Sequence, residues 1–471
     1  MPWPAPSQWV HETTDVTVNR FTPPAAGTAT PVRFPALARD ALSNGLAVWT
    51  IRHTAAPVVT AVLLIGAGTA DDPADRLGLA SIAADLSGEG ADGDDAIRLA
   101  DRLGRLGTRL EIGAGPDVTT LGFASLARHF EGALEVLAGV ACRPHLALAD
   151  LARLRDLRLS RLSQLRHSAT AVAERAFVHA VFPEHGYGHG SLGTTRGLRS
   201  VTIEDVRAWH AGVFRPARAV LIVGGDVVHG SVMRLAHRAF GAWPSGSPGD
   251  GDGPTSRGRL TPVSSPRVVL VDRPAAPQSV LRVGHIGPPR ASRAYHALIV
   301  LNAVLGGQFS SRLNTHLRER RGVTYGARTS LDARRDAGAF ACETSVQADA
   351  TASSIADVLA EFRTVREPGT LTAEEVTRAI RSLTRGYVRG FELASQIVRA
   401  AAELAAYGLS DDTFDRFVPE VSAQTVESVR QAAATFVDAD QAVAVVVGDS
   451  LACRPGLEAL GWPIEAFVPE F

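Results

Sequence analysis

Few side chains in this 471-residue chain have a type and a spacing that indicate chemistry by themselves. His185 and His189 are four residues apart, as two metal-binding histidines on one helix face would be, but the glycines between them favour a loop. Paired acids such as Asp71 and Asp72 are typical of turns and helix starts, where the helix dipole stabilises negative charge. The sequence shows no P-loop, no nucleophile elbow and no glycine-rich dinucleotide turn. These features predict structural roles.

Arg318 and Tyr325, in the second half of the chain, have a clearer chemical use. A guanidinium presents a fork of donors that can bind peptide carbonyl groups, and a phenol can donate a hydrogen bond to an oxyanion. Taken alone, however, the two residues are better explained by a charged helix surface and an aromatic residue at the start of a strand. The interpretation therefore depends on the sequence around them.

Composition and charge exclude several classes of protein. Apolar residues make up 45% of the chain and charged residues 21%, as in ordinary globular proteins. Because 48 basic residues face 49 acidic ones, there is no overall field to attract nucleic acid or an anionic membrane, and we expect neither as a partner. The three cysteines are widely separated, and the sequence shows no signal-like N-terminus and no long apolar run. We therefore expect a cytoplasmic protein without disulfides.

The composition along the chain predicts four segments. Residues 1–33 are rich in Pro, Thr and Ala and predict an extended arm. Residues 244–262 combine Gly, Ser, Asp and Pro without apolar anchors and predict a linker. This arrangement leaves an N-terminal domain at residues 34–243 and a C-terminal domain at residues 263–471.

The two domains resemble each other. Residues 202–227 and 422–449 both run from a helix through an apolar, β-branched strand to a Gly-Asp end. In the first domain, strands are predicted at residues 45–51 and 58–65, followed by a helix at residues 79–86. Because such blocks occur in both domains, the sequence predicts an α+β fold of two homologous α/β-sandwich halves, joined by a linker.

Several short segments occur in a fixed order along the chain. They are Asn44-Gly45-Leu46, Gly66-Ala67-Gly68, Gly78-Leu79-Ala80, His185-Gly186-Tyr187-Gly188, and a run from Gly306 to Leu313 that continues into Leu317-Arg318-Glu319. In this order and spacing they resemble the zinc metallopeptidases of the pitrilysin, insulinase and mitochondrial processing peptidase type. The resemblance covers residues 42–449 and implies that each half contributes to a peptidase half-chamber.

The resemblance also implies that the zinc motif of this chain is degenerate. Active members carry H-x-x-E-H directly after the Gly-Leu-Ala element, where the two histidines bind Zn²⁺ and the glutamate acts as general base. Here the corresponding positions hold Ser81, Ala84 and Asp85. The family's third ligand is a glutamate on the next long helix, but the corresponding residues 159–164 include no acid. We therefore expect no metal and no other cofactor in this chain.

A second motif of the family is present. In the family, an arginine followed seven positions later by a tyrosine reaches across to the active site, and Arg318 and Tyr325 match it. The resemblance implies that both residues bind substrate and contribute to catalysis in trans, at the active site of a partner chain. Phe309 and Arg312, in the segment before them, are assigned to packing.

A chain with this combination resembles the non-catalytic subunit of the two-chain members of the family. We expect a substrate-binding subunit of a heterodimeric zinc metallopeptidase, inactive alone, whose homologous partner carries H-x-x-E-H and holds the zinc. The expected substrate is an unfolded peptide, bound as an added strand on a sheet edge. A structural scaffold and a peptide-binding module of the same fold are the alternatives. Two pathways stay open: removal of the leader of a ribosomally made peptide, and general peptide turnover.

Overall fold

The computed structural model describes residues 32–245, 257–261 and 265–471. The predicted N-terminal arm, apart from its last two residues, and most of the predicted linker lie outside the described residues. Within the described ranges, no helix is both long enough and apolar enough to cross a membrane.

The first half, residues 32–245, is a mixed sheet with helices packed against it. Its strands are β1 (Leu37–Ala41), β2 (Ala47–Arg52), β3 (Val58–Ile65), the short β4 (Gly90–Ala91) and β5 (Asp94–Asp95), β6 (Glu111–Ala114), β7 (Thr119–Leu126) and β8 (Ala219–Gly225). Its helices are α1 (Leu79–Ser87), α2 (Ala96–Arg105), α3 (Phe130–Cys142), α4 (Leu148–Leu165), α5 (Ala169–Val181), α6 (Thr195–Ser200), α7 (Ile203–Val213) and α8 (His229–Phe240). The order in the main sheet is β1-β2-β8-β3-β7-β6.

The second half, residues 265–471, has the same architecture. Its strands are β9 (Arg267–Asp272), β10 (Gln278–Gly287), β11 (Thr324–Ala333), β12 (Gly338–Gln347), β13 (Val443–Gly448) and β14 (Ile464–Ala466). Its helices are α9 (Tyr295–Leu305), α10 (Thr351–Thr364), α11 (Ala373–Arg385), α12 (Ala394–Tyr407), α13 (Thr413–Ser422), α14 (Val426–Phe436) and α15 (Ser450–Glu458), with a π-helix at Asn314–Arg320. The sheet order is β14-β9-β13-β10-β12-β11.

The two sheets are built alike. In the first, the parallel pair β2 and β8 is followed by the antiparallel strands β3, β7 and β6. In the second, the parallel pair β9 and β13 is followed by the antiparallel strands β10, β12 and β11. The predicted α+β fold of two related halves is therefore confirmed, and β6 and β11 are equivalent edge strands.

Local sequence explains why these elements form where they do. The strand predicted at residues 58–65 is β3, whose apolar run VVTAVLLI is largely buried because both faces of the sheet are covered. The helix predicted at residues 79–86 is α1. Thr202 and Thr372 cap α7 and α11, and each accepts a hydrogen bond from the amide three residues later.

Each half covers one face of its sheet with a helix from the other half. Helix α5 of the first half packs on β10 and β13, whereas α12 of the second half packs on β3 and β8. The fit of α12 is close, because a Cβ added at Gly224 of β8 would lie 2.6 Å from a methyl group of Val398. Separating the halves would therefore expose apolar faces of both sheets to water.

The described part of the predicted linker also joins the two halves. Arg257 donates hydrogen bonds to Asp71 (2.8 Å) and Asp117 (2.6 Å) of the first half, and to Asp336 (2.9 Å) of the second. Its side chain is only 15% exposed. The sequence predicts a linker without apolar contacts to the domains. This contact is compatible with that prediction, because Arg257 is held by ion pairs and not by apolar packing.

A half-buried ion pair stabilises the second half. Arg312 donates to both carboxylate oxygens of Glu375, at 2.7 and 2.8 Å, and to the carbonyl of Thr370. Burial alone would raise the pKa of the Glu375 carboxyl group. The hydrogen bonds from Arg312 and Thr372 outweigh burial and hold that pKa at about 2. Arg312, assigned to packing from the sequence, therefore ties the segment before the π-helix to α11.

This pair predicts a defined pH dependence of stability. Because the pKa of Glu375 is lower in the folded chain than in the unfolded chain, its contribution is complete above about pH 4.5 and is lost as the pH falls toward 2. We expect Glu375→Gln to lower the free energy of unfolding by about 2 kcal/mol at pH 7. Urea denaturation should show the difference from wild type narrowing below pH 4.5. Glu374→Gln, at the exposed neighbouring carboxylate, is the control, and an equal loss there would contradict the assignment.

Candidate functional site

The degenerate zinc motif lies on α1, which packs against the edge strand β6 and the long helix α4. The N-terminus of α1 is fixed by Asp72, whose carboxylate accepts hydrogen bonds from the amides of Gly78 and Ala80, both at 2.7 Å. Gly78 has a φ of 104°, a conformation that glycine adopts without strain. The turn thus directs Ser81 and Asp85 of α1 toward α4.

One arginine of α4 connects to both of these residues. Arg158 donates from one nitrogen to the hydroxyl of Ser81 (2.6 Å) and from another to the carbonyl of Ser81 (2.7 Å) and to the carboxylate of Asp85 (2.5 Å). Its side chain is 7% exposed, whereas that of Asp85 is 41% exposed. A guanidinium therefore lies where the two helices face each other.

The residues at these positions do not fit a zinc site. A catalytic zinc site needs three protein ligands, usually imidazole or carboxylate, and the only such ligand among the three motif positions is Asp85, which already pairs with Arg158. The positive charge of Arg158 would also repel a divalent cation. Among the described residues, no group of three or more His, Cys, Asp or Glu side chains is placed to hold a metal ion.

Sequence reasoning missed Arg158. The position of the lost acidic ligand corresponds to residues 159–164, whereas the residue that contacts α1 precedes that stretch. A signal was present, because Leu151, Leu154 and Leu162 mark the buried stripe of α4 and position 158 continues it at helical spacing. An arginine on the buried face of a helix requires a polar partner, and α1 provides it.

The two histidines noted in the sequence have structural roles. His185 accepts a hydrogen bond from the amide of Tyr187, and the ring nitrogens of His189 lie 3.0 and 3.1 Å from backbone carbonyl oxygens. Burial lowers the pKa of both rings. They belong to the turn at Gly186–Gly188, as the glycines indicate.

Arg318 and Tyr325 lie in the second half, on adjoining elements. Arg318 is on the π-helix, and Tyr325 is the second residue of the edge strand β11. Arg318 is half-buried, with its guanidinium carbon 4.3 Å from the centre of the Phe309 ring. Tyr325 is 90% exposed. Within the described residues, neither side chain makes a hydrogen bond or an ion pair, so both sets of polar groups are available to another molecule.

A β-bulge turns Tyr325 outward. The register between β11 and β12 shifts between Thr324 and Ala327, so that Tyr325 and Gly326 have no partners in the ladder. The hydroxyl of Thr324 accepts from the amide of Gly326, and the hydroxyl of Thr344 donates to the carbonyl of Gly326, both at 3.0 Å. Two threonines therefore fix the backbone directly beside Tyr325.

A buried asparagine connects the segments that carry Arg318 and Tyr325. The side-chain amide of Asn314, on the π-helix, donates to the carbonyl of Gln308 (3.0 Å), and its oxygen accepts from the amide of Ala327 (2.9 Å). Gln308 precedes Phe309, and Ala327 follows Tyr325 by two residues. Asn314 therefore sets the relative positions of the turn, the helix and the strand.

Two models of one peptidase family match this chain. The model of "Insulinase (Peptidase family M16)" matches residues 47–195, and that of "Peptidase M16 inactive domain" matches residues 200–383. The chain belongs to peptidase family M16, the insulinase family. The predicted family is thereby confirmed, and the region that matches the inactive-domain model contains both Arg318 and Tyr325.

Bacterial relatives and solved structures resemble this M16 chain over most of its length. An uncharacterized zinc protease of Mycobacterium leprae is 26% identical over 76% of this chain and 78% of its own. One of Bacillus subtilis is 21% identical over 87% and 97%. The crystal structure of a peptidase M16 inactive domain from Pseudomonas fluorescens covers 88% of this chain and 98% of its own, with a TM-score of 0.81 at 22% identity. A protease from Helicobacter pylori has a TM-score of 0.82 at 16% identity, covering 88% and 100%.

The contact between α1 and α4 predicts that Arg158 stabilises the M16 fold. We expect Arg158→Met to lower the free energy of unfolding by about 2–3 kcal/mol, because the buried carbonyl and hydroxyl of Ser81 lose their donor. Urea denaturation at pH 7 measures the loss. Arg161→Met, at an exposed position of the same helix, should change stability by less than about 0.5 kcal/mol. If both variants lose the same amount, Arg158 has no special role.

Proposed function

We propose that this M16 chain is the non-catalytic, substrate-binding subunit of a two-chain zinc metallopeptidase. The observation that carries the proposal is the contrast between its two motifs. At the zinc motif, Arg158 uses its donors within the chain. At the second motif, Arg318 and Tyr325 have unused donors and stand on a fixed backbone.

The partner would be a homologous chain that carries H-x-x-E-H and holds the zinc. Relatives of this chain are described as zinc proteases, which makes an M16 homologue a suitable source of the metal site. The metal and its general base would supply the attacking water. This chain would supply polar contacts to the substrate from the opposite side of a closed chamber.

The two side chains would have different tasks. The guanidinium of Arg318 can hold the carbonyl oxygens of an extended peptide before and during the reaction. The hydroxyl of Tyr325 can donate a hydrogen bond to the carbonyl oxygen of the bond to be cut, where negative charge develops. An unfolded peptide suits this geometry, because β6 and β11 are sheet edges that can pair with an added strand.

Co-expression with each H-x-x-E-H homologue from the same genome tests the proposal. We expect one of them to form a complex that elutes as a heterodimer in size-exclusion chromatography, contains zinc and cleaves unfolded peptides. The isolated chain should bind no stoichiometric zinc and cleave nothing. Tight zinc binding with chelator-sensitive hydrolysis by the isolated chain would contradict the proposal. Complex formation without hydrolysis would favour a scaffold, and peptide binding without a partner would favour a binding module.

Substitutions in the intact complex test the roles of the pair. Tyr325→Phe removes one preoriented donor, and we expect turnover to fall about 10²–10³-fold. Arg318→Ala should lower turnover and also raise KM, because the guanidinium contacts the peptide in both the ground state and the transition state. Neither change should affect assembly. Arg320→Ala, at an exposed position of the same π-helix, is the matched control. Rates within twofold of wild type for both variants would show that the pair has no catalytic role.

A further inference from the structure

The geometry points to Phe309 as the residue that positions Arg318. This inference rests on the proposed function, and it adds a residue that the sequence assigns to packing. Phe309 is 66% exposed and is absent from the buried cores of the described chain, so packing does not explain it. The group that does lie on its ring is the guanidinium of Arg318, at 4.3 Å from the ring centre. That distance is within the range of a cation–π contact.

The backbone under Phe309 is fixed on both sides. A Cβ at Gly306 would lie 2.4 Å from the amide nitrogen of Thr329 in β11, so the turn approaches the strand closely. On the other side, the carbonyl of Gln308 accepts hydrogen bonds from Asn314 (3.0 Å) and from the amide of Ser311 (3.1 Å). The aromatic ring therefore projects into solvent from a turn that cannot easily move.

A ring face orients an arginine in a way that a carboxylate cannot. An ion pair would occupy the N–H donors of the guanidinium, as Glu375 occupies those of Arg312. A π-face attracts the charge and limits the rotamers of the long side chain, and the N–H donors stay free. Phe309 would thus pre-orient Arg318 without competing with the peptide carbonyls that it is proposed to bind.

Other charged groups do not account for the position of Arg318. Arg321, which caps the C-terminus of the π-helix, pairs with Asp357, and His316 also faces that carboxylate. Within the described residues, no carboxylate lies within ion-pair distance of Arg318. The ring of Phe309 is its only described aromatic contact.

Kinetics of the intact complex with the H-x-x-E-H partner test the inference. Phe309→Leu keeps an apolar side chain but removes the π-face, and we expect kcat/KM to fall about 2- to 5-fold, mainly through KM. Phe309→Trp should restore wild-type kinetics. In the Arg318→Ala background, Phe309→Leu should have no further effect, because there is no longer a guanidinium to orient. Equal kcat/KM for Phe309→Leu and wild type, or additive losses in the double variant, would overturn the inference.

Two controls separate this inference from the proposed function. If Arg318→Ala and Tyr325→Phe both leave kcat/KM within twofold of wild type, the proposed function fails. If Arg318→Ala lowers kcat/KM and Phe309→Leu does not, only the role of Phe309 fails.

A further measurement needs no partner. In the isolated chain, the Nε–H resonance of Arg318, assigned by its loss in Arg318→Ala, should lose its ring-current shift in Phe309→Leu and should show a ring-current shift again in Phe309→Trp. An unchanged resonance in Phe309→Leu would show that the stacked geometry does not exist in solution.

Discussion

The whole structure depends on two helices, one from each half, that each pack on the sheet of the other half. Each sheet has two apolar faces, and one of them is covered by a helix that belongs to the other half, α5 on β10 and β13 and α12 on β3 and β8. Burial of these faces is the main favourable term that joins the halves. Arg257 adds a polar contact, since it pairs with aspartates on both sides of the junction. The two motifs are therefore held on one body, and neither can shift freely relative to the other.

Within that body, Arg158 connects the two helices α1 and α4. Here a guanidinium from α4 connects them, through the hydroxyl and carbonyl of Ser81 and the carboxylate of Asp85. Because this charge belongs to the chain itself, the contact between α1 and α4 needs no bound ion.

The sequence was informative wherever a local pattern decides the structure. The apolar run of β3, the cap at Thr372 and the duplicated order of strands follow from side-chain periodicity and capping chemistry. Contacts between distant segments could not be derived in this way. The exchange of α5 and α12 depends on how two similar sheets pack, and the partners of Arg158 depend on the distance between two helices. The sequence assigns Phe309 to packing. Its exposure could not be predicted, because exposure depends on how the turn folds.

The second motif combines a rigid support with side chains that are not used within the chain. Asn314 and Thr344 are buried and hydrogen-bonded to the backbone beside the motif, so the turn, the π-helix and the bulge have one relative arrangement. The groups above them contribute little to the stability of this chain, because Tyr325 is exposed and Arg318 has no carboxylate partner. A surface with a fixed backbone and unused side chains has little backbone freedom to lose when another molecule binds. That property suits the proposed role of this surface as a half-site that a second chain completes.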